Sequence, residues 1–191
     1  MKIGLFFGTF DPPHLGHFEI VKKLINTKNF EEIWIVPSPL SPFKQNNLIT
    51  SFHHRTVMLQ KTFLDLNNVK ICDVELKLSQ PNYTIETLNY LQKSFPNYKY
   101  SIILGSDNFN KIHLWKDSQK IIKKFPLYVY PRKDHPLNNK LIKLNSIVSL
   151  VHMITIPISS STIRSKIHST DISNQVMPAV KDYILKNKLY I

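Results

Sequence analysis

One cysteine, four glycines and 13 acidic residues are all that this chain of 191 residues holds of those types. A lone cysteine, Cys72, excludes an internal disulfide and suits a reducing compartment, so the expected location is the cytoplasm. The acidic residues are too scattered to build a carboxylate cage, so no metal site made by the protein alone is expected. Against 25 Lys and Arg they leave a formal charge of +12. No apolar run approaches the length of a membrane span, which points to a soluble protein with no membrane partner. The first residues carry one lysine and a short apolar run that flows into a glycine turn, which reads as a first strand and not a signal peptide. Repeats and low-complexity tracts are missing too. With 42% apolar residues, the expectation is one globular domain, residues 1–191, with a full core.

The positive charge admits two readings, a nucleic-acid binder or an enzyme for small polyanions. Most lysines stand singly or in pairs, such as Lys22-Lys23 and Lys123-Lys124, on the polar sides of helical patterns. That is the distribution of a solvated surface. The chain has no aromatic RNA-binding strand, zinc knuckle or arginine-rich arm, so nucleic acid is not the expected partner.

The glycines say more. Gly4, Gly8 and Gly16 fall in one short segment, which contains Phe7-Gly8-Thr9-Phe10-Asp11-Pro12-Pro13-His14-Leu15-Gly16-His17. An apolar run, Ile3 to Phe7, precedes it and reads as a buried strand. Apolar residues at helical spacing follow it from Phe18 to Ile25. Glycine serves where the backbone takes unusual angles or where another group comes close, so a ligand is expected against the main chain here. His14 and His17, three apart, stack on one side of the new helix's first turn. That turn also offers unpaired N–H groups and the positive end of the helix dipole. Strand, tight turn and a helix start bearing two imidazoles make a phosphate site.

Further along, Glu32 to Val36 is a second strand, followed by a proline-rich loop, Pro37 to Lys44, at its carboxyl end. Lys44 is placed there to reach a phosphate. Ser51 caps a helix over 52–64 with His53, His54 and Arg55 near its start. The two histidines read as surface residues and Arg55 as a weak functional candidate. Strands are predicted over 69–76, 100–104, 127–130 and 147–154. Thr84 is the predicted N-cap of a helix running to about Phe95, which leaves the amides just after Tyr83 as donors. The one glycine outside the first segment, Gly105, opens the corner Gly105-Ser106-Asp107 at a strand's carboxyl end, and Asp107 there reads as a ribose or metal-water contact. Trp115 lies just beyond and is able to stack on a flat ring. Arg132 follows the fifth strand. Strands alternate with helices throughout, the pattern of an α/β fold with a doubly wound, mostly parallel sheet, whose carboxyl edge faces a ligand.

A second phosphate site is predicted at Ser159-Ser160-Ser161-Thr162-Ile163-Arg164. Hydroxyls and free amides open a helix there, with a guanidinium in its first turn that grips phosphate oxygens through paired N–H bonds. Arg164 anchors this reading, with Ser160, Ser161 and Thr162 as the nearest hydroxyls.

The first stretch resembles the G-[ST]-F-[DN]-P-x-H-x-G-H signature of the HxGH nucleotidyltransferase superfamily, and the second resembles its I-S-S-T-x-I-R motif. Within that superfamily, Tyr83-Thr84-Ile85-Glu86-Thr87-Leu88, Leu104-Gly105-Ser106-Asp107-Asn108-Phe109 and Trp115 resemble the bacterial nicotinate-nucleotide adenylyltransferases, with Asn82 in place of the usual Ser. The resemblance covers nearly the whole chain. It implies a Rossmann-like fold and adenylyl transfer from ATP to nicotinate mononucleotide, giving nicotinate adenine dinucleotide and pyrophosphate. The transfer needs no covalent intermediate, and Mg²⁺ is held mainly by substrate phosphates.

On this reading ATP meets Gly8, Thr9, Phe10, His17, Gly105, Asp107, Ser160, Ser161, Thr162 and Arg164. The mononucleotide meets Lys44, Tyr83, Thr84, Trp115 and Arg132, and His14, His17, Lys44 and Arg164 carry the catalysis. The alternatives are another HxGH adenylyltransferase, with an amide mononucleotide or phosphopantetheine acceptor, and a basic nucleic-acid-binding domain. An oligomer is compatible with the sequence but not required by it.

Overall fold

The apolar stretches between the turns do pair. In the computed structural model, which describes residues 1–39, 49–138, 142, 148–153 and 157–190, six strands form one sheet in the order β3-β2-β1-β4-β5-β6. They are β1 (Lys2–Gly8), β2 (Glu32–Pro37), β3 (Val69–Ile71), β4 (Lys99–Gly105), β5 (Leu127–Tyr130) and β6 (Val148–Leu150). Every pairing is parallel. The order is that of a doubly wound dinucleotide-binding sheet, and the strand order reverses between the neighbours β1 and β4, which themselves run parallel.

Parallel strands covered on both faces bury successive residues. In β1, Ile3 and Leu5 join one apolar cluster with Leu88, Leu91 and Phe125. Phe6 turns to a second cluster with Val21, Leu24 and Leu59 on the opposite face. The helices behind these clusters are α1 (Leu15–Asn26), α2 (Phe52–Thr62), α3 (Thr84–Ser94), α4 (Ser106–Phe109), α5 (Ser118–Lys124), α6 (Ser160–Lys166) and α7 (Pro178–Lys186). A third, smaller cluster of Met58, Ile163, Val180 and Ile184 joins α2 to α6 and α7, so the chain's last helices lean on the opening of α2.

Several element boundaries differ from the sequence reading, the last strand among them, which spans Val148–Leu150 where 147–154 was expected. The third strand stops at Ile71, and Val74–Lys77 turns into a 3-10 helix. That turn buries Val74 and Glu75 together, which continued alternation would not do. The N-cap of α3 is Tyr83 and not Thr84, because Tyr83 keeps an extended backbone while its carbonyl accepts from Glu86 N at 2.9 Å. Ser51 caps α2 as expected, accepting from His54 N at 3.3 Å.

Candidate active site

The turn after β1 is built around Phe10. A Cβ on Gly8 would come within 2.8 Å of the Phe10 ring, so the missing side chain makes room for that ring. The unusual backbone angle falls on Phe10, at φ 52°, and on no glycine. Of the two uses of glycine, Gly8 serves close approach, and the neighbour it admits is the Phe10 ring. Phe10 is held in that conformation by edge-on contacts with Phe6 at 5.5 Å and His17 at 5.0 Å between ring centroids.

The two imidazoles stack at 3.7 Å. The main-chain N–H of His14 donates to His17 Nδ1 at 3.1 Å. A neutral His17 therefore carries its proton on Nε2, which makes that nitrogen a donor. Burial, with the Arg132 charge adding to it, pushes the His14 imidazole down to about 3, so His14 is neutral at physiological pH.

Distant parts of the chain pin this loop. Arg55 is 1% exposed. Its guanidinium donates to the carbonyls of Thr9 at 2.7 Å, Ser38 at 2.8 Å and Thr50 at 2.9 Å. It is thus a structural post under the loop and not a ligand group. His54 is no plain surface residue either, for its Nδ1 lies 2.9 Å from the Tyr183 hydroxyl of α7. Ser160 Oγ donates to the Pro12 carbonyl at 2.8 Å, Arg164 Nη1 to the Asp11 carbonyl at 2.5 Å, and Leu15 N to Gln175 O at 2.8 Å. Asp11 itself is buried, with Tyr190 Oη donating to its Oδ1 at 2.7 Å.

The opposite wall comes from β4, the start of α3 and the segment before α5. At the end of β4, a Cβ on Gly105 would clash with Asp107 Oδ1 and stand 3.0 Å from Arg132 Cγ. Here the glycine's bareness seats the pair Asp107–Arg132, whose charged atoms are 3.7 Å apart. Lys116 Nζ sits 4.6 Å from the centre of the Tyr83 ring and bonds Glu86 at 2.5 Å, tying the Trp115 segment to the start of α3.

These walls enclose one cavity of about 750 Å³ at the carboxyl end of the sheet, beside the reversal point. Gly8, Thr9, Phe10, His14 and His17 line it, as do Tyr83, Thr84, Gly105, Asp107, Trp115, Arg132, Ser160, Ser161 and Arg164. Thr162 does not. The cap of α6 is Ser159, the first of the four hydroxyl residues, and the Thr162 hydroxyl turns back onto Ser159 Oγ at 2.8 Å. Lys44 lies outside the described residues. Asp11, Ser38, Glu75, Asn82 and Lys116 also line the cavity, and the sequence reading had assigned none of them. Arg55 and Tyr190 stand outside the cavity lining and meet the loop from behind.

A site of this shape has relatives. The cytidylyltransferase-like family model matches residues 5–172. A Flavobacterium psychrophilum protein named "Probable nicotinate-nucleotide adenylyltransferase" is 36% identical, the alignment covering 100% of this chain and 99% of that one. The chain is a nicotinate-nucleotide adenylyltransferase family member. A Leptospira interrogans protein of the same name is 35% identical over 98% of this chain and 96% of its own length. The Plasmodium falciparum nicotinic acid mononucleotide adenylyltransferase complexed with NaAD superposes with a TM-score of 0.84 at 25% identity, covering 99% of this chain and 97% of that one. The family match spans β2 to β6 and α6. Among the described residues no helix is long and apolar enough to cross a membrane.

Proposed function

We propose that this chain transfers the adenylyl group of ATP to nicotinate mononucleotide, releasing pyrophosphate, in the cytoplasm. A phosphate oxygen of the mononucleotide attacks the α-phosphorus of ATP, the new P–O–P bond forms, and the bond to the β-phosphate oxygen breaks with its electron pair leaving on pyrophosphate. The attacking phosphate is already ionised at neutral pH. The protein therefore needs no nucleophile or strong base and works by alignment and by stabilising charge.

The observation that carries this reading is that the stacked His14–His17 pair, Arg164 and Trp115 face one cavity, although 150 positions separate His14 from Arg164. His17 Nε2–H and neutral His14 are donors for the α-phosphate, next to Thr9. Arg164 and Ser161 receive the β- and γ-phosphates. Trp115 stacks on the pyridine, and the amides that open α3 after Tyr83 receive its carboxylate at the positive end of the helix dipole. Asp107 and Arg132 hold ribose or phosphate oxygens at the reversal point. Lys44, outside the described residues, is assigned to phosphate on its sequence position alone.

The side chains suit a metal ion that arrives on the nucleotide. Among the described residues no three His, Cys, Asp or Glu gather, and both Asp11 carboxylate oxygens already accept hydrogen bonds, from Tyr190 and Thr50. Mg²⁺ carried by phosphate oxygens and water would neutralise charge on the departing pyrophosphate. The serines of the second motif act as ligands and not as nucleophiles.

The test is product analysis with ATP, Mg²⁺ and a small acceptor panel. Nicotinate mononucleotide should give stoichiometric pyrophosphate and nicotinate adenine dinucleotide. Turnover with phosphopantetheine alone, or with no acceptor in the panel, would overturn the assignment.

A further inference from the structure

Tyr190 joins two anomalies that the reaction as described leaves unused. Its backbone sits in the left-handed region at φ 64°, which side-chain-bearing residues rarely occupy, and the same short turn after α7 holds Lys188 at φ 50°. A bulky residue keeps such a conformation only when its surroundings over-determine it. What holds Tyr190 is its hydroxyl, which reaches across 179 positions of sequence to Asp11 Oδ1 at 2.7 Å.

Asp11 is 3% exposed and stands inside the first phosphate motif. Its second oxygen, Oδ2, accepts from Thr50 N at 3.4 Å and lies 4.0 Å from Arg164 Nη1. The same Nη1 donates to the main-chain oxygen of Asp11 at 2.5 Å. One carboxylate therefore meets the first motif, the guanidinium of the second, and Tyr190. Asp11 and Arg164 line the cavity, whereas Tyr190 stands behind its wall.

We propose that Tyr190 is a positioning residue for the ATP grip: by fixing the rotamer of Asp11 it sets the direction in which Arg164 presents its guanidinium to the triphosphate. This rests on the adenylyl-transfer reading above. A carboxylate free to rotate would take Arg164 as a full ion-pair partner and turn its N–H groups from the cavity. A carboxylate held on its other oxygen keeps the guanidinium at 4.0 Å, anchored by one bond to a carbonyl, with its remaining donors available to phosphate. Burial, with the Asp11 charge adding to it, raises the Tyr190 phenol, which stays a protonated donor throughout the working range. The ring also packs against the Met58–Val180 cluster, so the experiment must separate hydroxyl from ring.

Tyr190→Phe does so, keeping the ring and removing the donor. Steady-state kinetics should show the KM for ATP raised roughly tenfold or more, the loss expected for one hydrogen bond to a buried charge, with the KM for nicotinate mononucleotide unchanged. In an Arg164→Ala background the same change should add nothing, because its route runs through Arg164. Three outcomes would overturn the proposal: an unaltered KM for ATP, an equal shift for both substrates, or full additivity with Arg164→Ala. A variant that melts far below the parent would overturn it as well, assigning the hydroxyl to the fold alone. If the parent protein releases no pyrophosphate, the transfer reading fails separately, and calorimetric titration of ATP into parent and Tyr190→Phe protein still tests this inference.

Discussion

Replacing Arg55 by methionine perturbs the fold and the site through one side chain. The guanidinium is 1% exposed and donates three hydrogen bonds, all to main-chain carbonyls: Thr9 in the first phosphate motif, Ser38 at the end of β2 and Thr50 before α2. Burial pulls the Arg55 pKa below the ordinary guanidinium range, and the Asp11 charge opposes that pull. Methionine fills most of the stem's volume, so little apolar packing is lost. What is lost is three charge-assisted bonds, leaving three carbonyls without this donor.

Removing one partner from a buried charged network costs about 3–5 kcal/mol. For a domain of this size each kcal/mol moves the melting temperature by about 2–4 °C. The expected fall is therefore roughly 10 °C, read by thermal denaturation. Arg55→Lys should fall between the two, since an ammonium cannot span three acceptors in a fixed fork. Because the Thr9 and Ser38 carbonyls fix the loop whose residues are proposed to hold phosphate, kcat/KM for ATP should drop in parallel at temperatures where the variant is still folded. A methionine variant melting within 2 °C of the parent would refute the argument that this guanidinium carries the loop.

His14 makes stability pH-dependent. Its imidazole titrates near 3 when folded and near 6.5 when unfolded, so the unfolded chain binds the extra proton and stability declines as pH falls from 6.5 toward 3. At pH 5 this one group removes about 2 kcal/mol relative to pH 7, and urea melts of His14→Gln should show a flatter slope over that interval than the parent. Gly105→Ala drives a Cβ into Asp107 and Arg132 and should cost about 1–3 kcal/mol of stability, as overpacking does. It should also lower kcat/KM, and an alanine variant with parental kinetics would show that the Asp107–Arg132 pair has no part in the reaction. Lys116→Met removes a cation from beside Tyr83 and should reduce the preference for the acid over the amide mononucleotide by about threefold in kcat/KM, an exposed pair being weak. An unchanged ratio would leave the helix start as the sole selector.

The features legible in the amino-acid order are those whose partners lie within a few residues. The stacking of His14 on His17 follows from helical spacing, the Ser51 cap from its place before an apolar period, and the strands of the sheet from their apolar runs. The clustering of three of four glycines marked the segment around the turn after β1, which lines the cavity. Even here local rules misplaced a boundary by one residue, at Tyr83, where Thr84 was equally competent to cap and packing chose between them.

Tertiary structure alone decided which distant groups share a carboxylate or a carbonyl. Arg55 has an unremarkable place at the start of α2, yet it is buried because three carbonyls from three separate segments converge on it. Tyr190 meets the turn after β1 only because α7 packs on α2 through Met58, Val180 and Ile184 and brings the following turn to Asp11. Thr162 carries a hydroxyl in a phosphate motif and still turns away, since the cap at Ser159 claims it. A local pattern restricts what a backbone can do at its own positions. The pairing of polar groups far apart in sequence is chosen by the burial of the whole chain, where each polar group must find whichever partner the packed elements bring to it.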